Sequence, residues 1–258
     1  MKPKLFLLVV VLLLVAMVPA LAMAKSQAKP EQTANVVLDV RKPLGPQLDA
    51  QLGRTPRAPY APSNAPRQFA PRGTSAGIQP NAVYGLLNDS FEAPWPGGLD
   101  WFFGEFGASP VGWDATAYTA KRGNQSLYSA GYFNDPFVNP FYDNDMESYA
   151  VYPMDLQGVR RVQARFQYKS ATEFGYDAFL WCGSDDLVTF NCQLHTGSTN
   201  NKWRLVTLDS KNSPIMSDLL NEPFAYFAFV FISDGSIVDT GTFVDVLSIR
   251  AWGPSPSN

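Results

Sequence analysis

This chain is short of the residues on which most metal and acid–base chemistry depends. It has one histidine, His195, and two cysteines, Cys182 and Cys192, in 258 residues. A His-Glu-x-x-His zinc site needs two imidazoles and is excluded. No Gly-x-Ser-x-Gly elbow surrounds Ser184 or Ser198, so neither reads as the nucleophile of a Ser-His-Asp arrangement with His195. Positive charge is also scarce where it would count. From Asn81 onward ten basic residues face twenty acidic ones, which the overall charge of −3 conceals. An acidic body of this kind argues against a nucleic-acid partner. There is no internal repeat, and the final Gly253–Asn258 carries no apolar stretch.

What is present divides the chain into unlike parts. Met1–Ala24 reads as a secretory signal: Lys2 and Lys4, an apolar run from Leu5 to Val18, then Ala22-Met23-Ala24 as a small-x-small cleavage pattern. The protein is therefore expected to be secreted, and the alternative is a retained anchor. Residues 25–80 are rich in proline, with Pro at 30, 43, 46, 56, 59, 62, 66, 71 and 80, and hold eight basic residues against three acidic. Such a stretch is expected to be a disordered linker or pro-segment. Only Val36–Val40 is suited to a strand or docking peptide. Its charge would allow loose contact with an anionic cell surface. A single domain is expected over 81–253, followed by a flexible tail, 254–258.

Within that domain the hydrophobic pattern is that of strands. Arg161–Lys169 alternates polar and apolar strictly, as a strand with one wet and one dry face does. Similar runs occupy 127–133, 148–154, 176–181, 188–194 and 203–208. Phe224–Ile232 is apolar on both faces and is expected as a central strand covered on both sides. Only Ser213–Leu220 has helical signals, with Ser at the cap and Pro at the first position. The fold class is all-β, an antiparallel β-sandwich of jelly-roll topology. Cys182 and Cys192 flank a hairpin turn and are expected to form a disulfide. The competing reading is a reactive thiol beside His195.

Two carboxylates stand inside strand-like runs at opposite ends of the domain: Glu92 after Asn88-Asp89-Ser90-Phe91, and Asp245 within Gly241–Ile249. A charge there needs compensation. If the first and last strands pair, Glu92 and Asp245 would meet at one structural Ca2+, with carbonyls of 122–124 completing the site. The segment Trp95–Phe106 is the most unusual local composition. Trp101 and Phe103 are candidate stacking rings and Asp100 and Glu105 candidate acceptors for a sugar, unless these rings belong to the core. Asp143, Asp145 and Glu147 form an acidic cluster. A cation loop of EF-hand type there lacks its Gly and distal Glu, and a glycosidase would need two carboxylates across a groove.

Asp89-Ser90-Phe91-Glu92, Gly112-Trp113, Gly123–Leu127, Ser184-Asp185-Asp186, Gly197-Ser198 with Trp203, Phe231–Gly235 and Gly241–Ile249 occur in an order that resembles a known family. It is that of the jelly-roll domains appended to bacterial secreted peptidases of the immune-inhibitor-A type, relatives of MAM and carbohydrate-binding domains. The resemblance spans roughly 86–252. It implies a non-catalytic adhesion or targeting module, with a structural calcium near the first and last strands. Glu92 and Asp245 stand at the matching positions, and Val246 where the family often carries a second Asp. The expected function is thus a secreted, non-enzymatic module that binds an extracellular glycan or protein. The alternatives are an extracellular hydrolase of the same fold and a structural surface or matrix protein.

Overall fold

The structure, a computed structural model, describes residues 31–55, 79–92, 95, 99–105 and 107–255. Twelve strands and two short helices run in the order β1 (Glu31–Asp39), α1 (Leu44–Gln51), β2 (Gln79–Asp89), β3 (Phe102–Glu105), β4 (Gly112–Thr116), β5 (Ser126–Tyr132), β6 (Glu147–Met154), β7 (Arg161–Ala171), β8 (Ala178–Ser184), β9 (Thr189–Gly197), β10 (Arg204–Asp209), α2 (Pro214–Ser217), β11 (Ala225–Ile232) and β12 (Gly241–Ser255). They form two antiparallel sheets, β1-β9-β8-β11-β6-β3 and β10-β7-β12-β5-β4, with β2 paired to β12 beyond the reach of β5. Strands β5 to β12 fill the eight places of a jelly roll: β5, β12, β7 and β10 lie side by side in one sheet, and β6, β11, β8 and β9 in the other.

β11 explains how the first sheet is covered. All eight of its residues are buried. Ala225, Phe227, Phe229 and Phe231 face the main core between the sheets, among Trp113, Phe166, Phe179 and Trp181. Tyr226, Ala228, Val230 and Ile232 face outward and meet a second apolar cluster. The period-two alternation of a strand makes this division automatic.

The cover on the outer side comes from the N-terminal segment, which corrects the reading of 25–80 as a disordered linker over residues 31–55. β1 pairs with β9 from Glu31↔Gly197 to Asp39↔Thr189. Val36, Leu38, Leu44 and Leu48 then lie over Leu180, Cys182, Cys192 and Leu194. α1 has no side-chain cap of its own. Instead Glu147, fully buried at the start of β6, accepts the N–H groups of Leu44 (2.9 Å) and Gly45 (2.6 Å). Those amides would otherwise be orphaned at a helix start. Residues 1–24, 25–30, 56–78 and 256–258, which include the expected signal and most of the tail, lie outside the described residues.

Cys182 and Cys192 are direct partners in the β8–β9 register and are joined as a disulfide, Cα to Cα 4.1 Å. Both belong to the outer cluster, so the bridge staples the hairpin under the N-terminal cover. Among the described residues no helix is long and apolar enough to cross a membrane.

Candidate functional site

Trp95–Phe106 is the expected aromatic platform, and the structure divides its members. Trp101 is in the core, 6% exposed, with its ring stacked on Phe229 and its indole N–H donated to Asp89 Oδ2 at 3.0 Å. It is not a free stacking ring, and the expectation is corrected on that point. Asp89 holds it there because the same carboxylate also accepts the Phe91 amide, 2.8 Å away, in the left-handed turn that ends β2. Phe103, opposite the inward-facing Ala150, lies on the same face but at the open edge of the sheet, where it is exposed against Trp95 with centroids 4.9 Å apart. Asp100 is exposed as well, whereas Glu105 is half-buried and burial raises its pKa. Gly104 is required between them, since a Cβ there would strike the Tyr149 hydroxyl. Pro96–Gly98 and Phe106 lie outside the described residues.

Phe103 opens onto a larger exposed aromatic surface. It neighbours Tyr132 (6.3 Å), which leans on Phe133 (4.2 Å). The loop after β5 then presents Phe133, 74% exposed, Phe137, Val138 at 83%, and Phe141. Phe137 also meets Tyr118 edge-on at 5.5 Å. These rings do not hold the loop together. Its backbone is fixed by its own polar groups. Asp135 Oδ1 accepts the Phe137 amide, the Asp135 carbonyl accepts those of Val138 and Asn139, and Asn134 Nδ2 donates to the Phe141 carbonyl. An apolar patch on an ordered scaffold marks an interaction surface. Its sequence signal lay in large rings set among turn formers, Phe133-Asn134-Asp135-Pro136-Phe137 and Asn139-Pro140-Phe141. Rings in such a segment have no strand face to pack on, so they were a cue that alternation does not register.

Glu92 and Asp245 converge on the turn 121–125. β2 and β12 do pair, with Leu247 opposite Asp89. Glu92 stands just past the end of β2, exposed rather than inside a strand, and accepts the amides of Asn124 (2.9 Å) and Gln125 (3.1 Å). Asp245 is fully buried. A bulge between Asp245 and Ser248, with Val246 at φ 55°, turns its carboxylate from the ladder toward the turn. There Oδ2 accepts the amides of Lys121 (2.7 Å) and Arg122 (2.9 Å), and Oδ1 that of Val246 (2.6 Å). Desolvation raises the Asp245 pKa, the amides oppose it, and the nearby Glu92 charge adds to the rise. Gly123, at φ 74°, leaves no room for a Cβ against the Glu92 carboxylate.

The other acidic candidates are dispersed. Glu147 caps α1, and Asp143 accepts the Ser109 hydroxyl at 3.0 Å. A different trio, Glu173, Asp177 and Asp234, has oxygens within 4.8 Å of one another. Asp177 is fully buried. It accepts the Tyr142 hydroxyl and the Asp234 amide, and desolvation raises its pKa to about 7.

His195 is 1% exposed, on the inner face of β9. Its Nδ1 lies 3.2 Å from the Tyr168 hydroxyl, and its Nε2 has no hydrogen-bond partner. Ser184 is engaged with Asp186 and Ser198 with the Asn200 amide, so neither serine is presented to the imidazole. The reading of a reactive thiol beside it also fails, because both cysteines are in the disulfide.

No family model and no curated protein matches the chain. Among solved structures it is similar to the K3 cleaved adhesin domain of Lys-gingipain from Porphyromonas gingivalis w83, at 14% identity over 66% of this chain and 99% of that one, TM-score 0.47. It is also similar to the CBM22-1 xylan-binding domain from Paenibacillus barcinonensis Xyn10C, at 15% identity over 67% and 98%, TM-score 0.41. A third is TmCBM61 in complex with beta-1,4-galactotriose, at 9% identity over 60% and 92%, TM-score 0.40.

Proposed function

We propose that the protein is a secreted, non-catalytic binding module that recognises an extracellular glycan through the aromatic surface formed by Phe103, Tyr132, Phe133, Phe137 and Phe141. The observation that carries this reading is the exposure of those rings, Phe103 and Tyr132 on strands β3 and β5 and the other three on a loop whose backbone is held by its own polar groups. Ring faces cover the C–H faces of a sugar, while exposed Asp100 and the Asn and Asp side chains of the loop exchange hydrogen bonds with its hydroxyls. An extracellular protein is the second reading. The polar groups interleaved with the rings favour the glycan. The Cys182–Cys192 bridge is in keeping with an oxidising, exported location. On this reading the module serves as an accessory that holds a secreted enzyme or cell surface near its substrate. Arg41 and Lys42 are paired with Asp39, and Arg54 with Asp49. Any loose cell-surface contact therefore falls to Lys25, Lys29, Arg57, Arg67 and Arg72, outside the described residues.

Binding of the full chain to a glycan array, followed by calorimetry on the retained sugar, tests the proposal. Phe133→Ala and Phe137→Ala should each weaken binding about tenfold, roughly 1.4 kcal/mol, and leave the melting temperature nearly unchanged. Full affinity in the double variant, or an array with no retained glycan, would overturn it.

We further propose that Glu92 and Asp245 hold a structural Ca2+ beside the turn 121–125. In support, the two carboxylates accept amides of one turn, Glu92 from Asn124 and Gln125 and Asp245 from Lys121 and Arg122. The amide groups they accept already compensate part of their charge, so the ion would use the remaining oxygen lone pairs. A ligand bound only by the folded state raises stability by mass action. Chelation should lower the melting temperature by several degrees, and calcium but not magnesium should restore it. An unchanged melting curve would mean that the amides alone suffice.

A further inference from the structure

The rings of the aromatic surface, Phe103, Tyr132, Phe133, Phe137 and Phe141, stand in stretches of the chain without a basic residue. None of the ten Lys and Arg residues from Asn81 onward falls within 93–120, 123–159, 170–201 or 212–249. Those stretches carry all five rings. They also carry the carbonyls of Gly131 and Asp239, to which the amides of Asn134 and Tyr142 tie the two ends of the loop. Acids are not missing from them. Asp135 lies in the loop between Phe133 and Phe137, Asp100 lies three residues before Phe103, and both are exposed. Asp135 Oδ1 accepts the Phe137 amide, and the ion pairs among the described residues involve neither carboxylate. Glu105, half-buried, sets a third carboxyl group beside Gly112, the partner of Tyr132 across β4 and β5.

The cations that the ring network does reach have other employment. Lys169 stands over Phe243, on which Tyr118 stacks, and donates to Thr119 Oγ1 at 2.8 Å. Lys121 and Arg122 belong to the turn held by Glu92 and Asp245.

The angles between the rings point the same way as the charge. Phe103 and Tyr132 are inclined at 60°, and Tyr132 and Phe133 at 52°, so the three do not share one plane. A flat sugar face uses a single ring plane. A ring face is negative and attracts an ammonium group, and inclined rings can present more than one face to the same small cation. The chain treats its own Lys169 in this manner, with Nζ 5.6 Å from the Trp203 centroid and 5.4 Å from that of Phe243. Carboxylates and inclined rings without a cation of their own select a ligand that brings one.

We propose that the glycan held at this surface carries free primary amines, as a polymer of glucosamine does. This rests on the reading of the surface as a glycan site and narrows it to one chemical class. The ammonium group lies against the faces of Phe103, Tyr132 and Phe133, and Asp100 and Asp135 supply the opposite charge. Phe137 and Phe141 cover the neighbouring sugar rings. Acetylation of the amine removes the charge that the rings hold, and an anionic sugar meets repulsion from the carboxylates.

A glucosamine hexamer and its fully N-acetylated counterpart share one backbone and differ in charge. Calorimetry on the full chain, in mildly acidic buffer where the amines are protonated, compares them. The glucosamine hexamer should bind about tenfold tighter, and the margin should shrink as salt screens the carboxylates. Asp100→Asn/Asp135→Asn keeps the oxygen that accepts the Phe137 amide and should bring the two affinities together. Equal affinity of the parent for both hexamers would overturn this proposal and leave the glycan surface standing. Glucosamine binding that survives Phe133→Ala/Phe137→Ala would place the amines on the acidic body at large, and would overturn it too. If neither hexamer binds while the array retains a neutral or anionic sugar, the amine class alone is excluded. An array that retains nothing overturns the broader reading with it.

Discussion

At the scale of single residues the molecule spends its buried charges on positioning. Asp89 fixes Trp101, Glu147 fixes the start of α1, and Asp245 fixes the turn 121–125. Asp177 is the member whose ionisation should be visible. Desolvation lifts it to about 7, only partly opposed by the Tyr142 hydroxyl and the Asp234 amide. In the unfolded chain it titrates near 3.9. Below that pH both states are protonated and the native fold is at its best. As the pH rises toward 7 the unfolded chain releases its proton first, and stability falls. His195 acts in the opposite sense, because a depressed imidazole contributes stability above about 6.5 that is lost as the pH falls toward 4. The two nearly mask each other in the native protein. Asp177→Asn separates them, since Asn can still accept from the Asp234 amide and donate to the Tyr142 oxygen. The stability of this variant relative to the parent should grow between pH 4 and 7, by about 1.4 kcal/mol for each pH unit by which the native and unfolded values differ. Chemical denaturation across that range provides the check, and a constant difference would show that Asp177 ionises normally.

At the scale of elements, the strands of the jelly roll were legible as short apolar-rich runs between turn residues, even where, as in β8, both faces are buried. β7 follows the expected Arg161–Lys169 and runs on to Ala171, and β5, β6, β8, β9 and β10 fall within a few residues of their runs. β1 and α1 were not legible as a unit. Glu31–Asn35 is polar, and as an edge strand it owes its conformation to β9 rather than to its own side chains. The helix start is satisfied by a carboxylate on a different strand, which no local capping signal announces. Only the short apolar patch at Val36–Val40 hinted at docking. If this segment is integral to the fold, Leu48→Ala should cost about 2–4 kcal/mol, as for other fully buried leucines. Val37→Ala, half exposed on the same segment, should cost little. Urea unfolding measures both, and a silent Leu48→Ala would make the segment a loosely attached flap.

At the scale of the whole molecule, the architecture followed from alternation, whereas the exposed aromatic surface did not. The rings of the Trp95–Phe106 segment looked equivalent in sequence. Only the place of β3 at the edge of its sheet and the Asp89 bond bury Trp101 and leave Phe103 exposed. The cover supplied by the N-terminal segment has a further consequence, in time rather than in space. β1 is made before every other strand described, yet its partner β9 and the Glu147 that anchors α1 are made much later. Until they exist Val36, Leu38, Leu44 and Leu48 have nothing to rest on, and the outer face of β8 stays bare. Contacts between such distant parts of a chain are slow to form and leave apolar surface open in the interval. β1, the first of the described strands to be synthesised, must wait for β9 before it can pair.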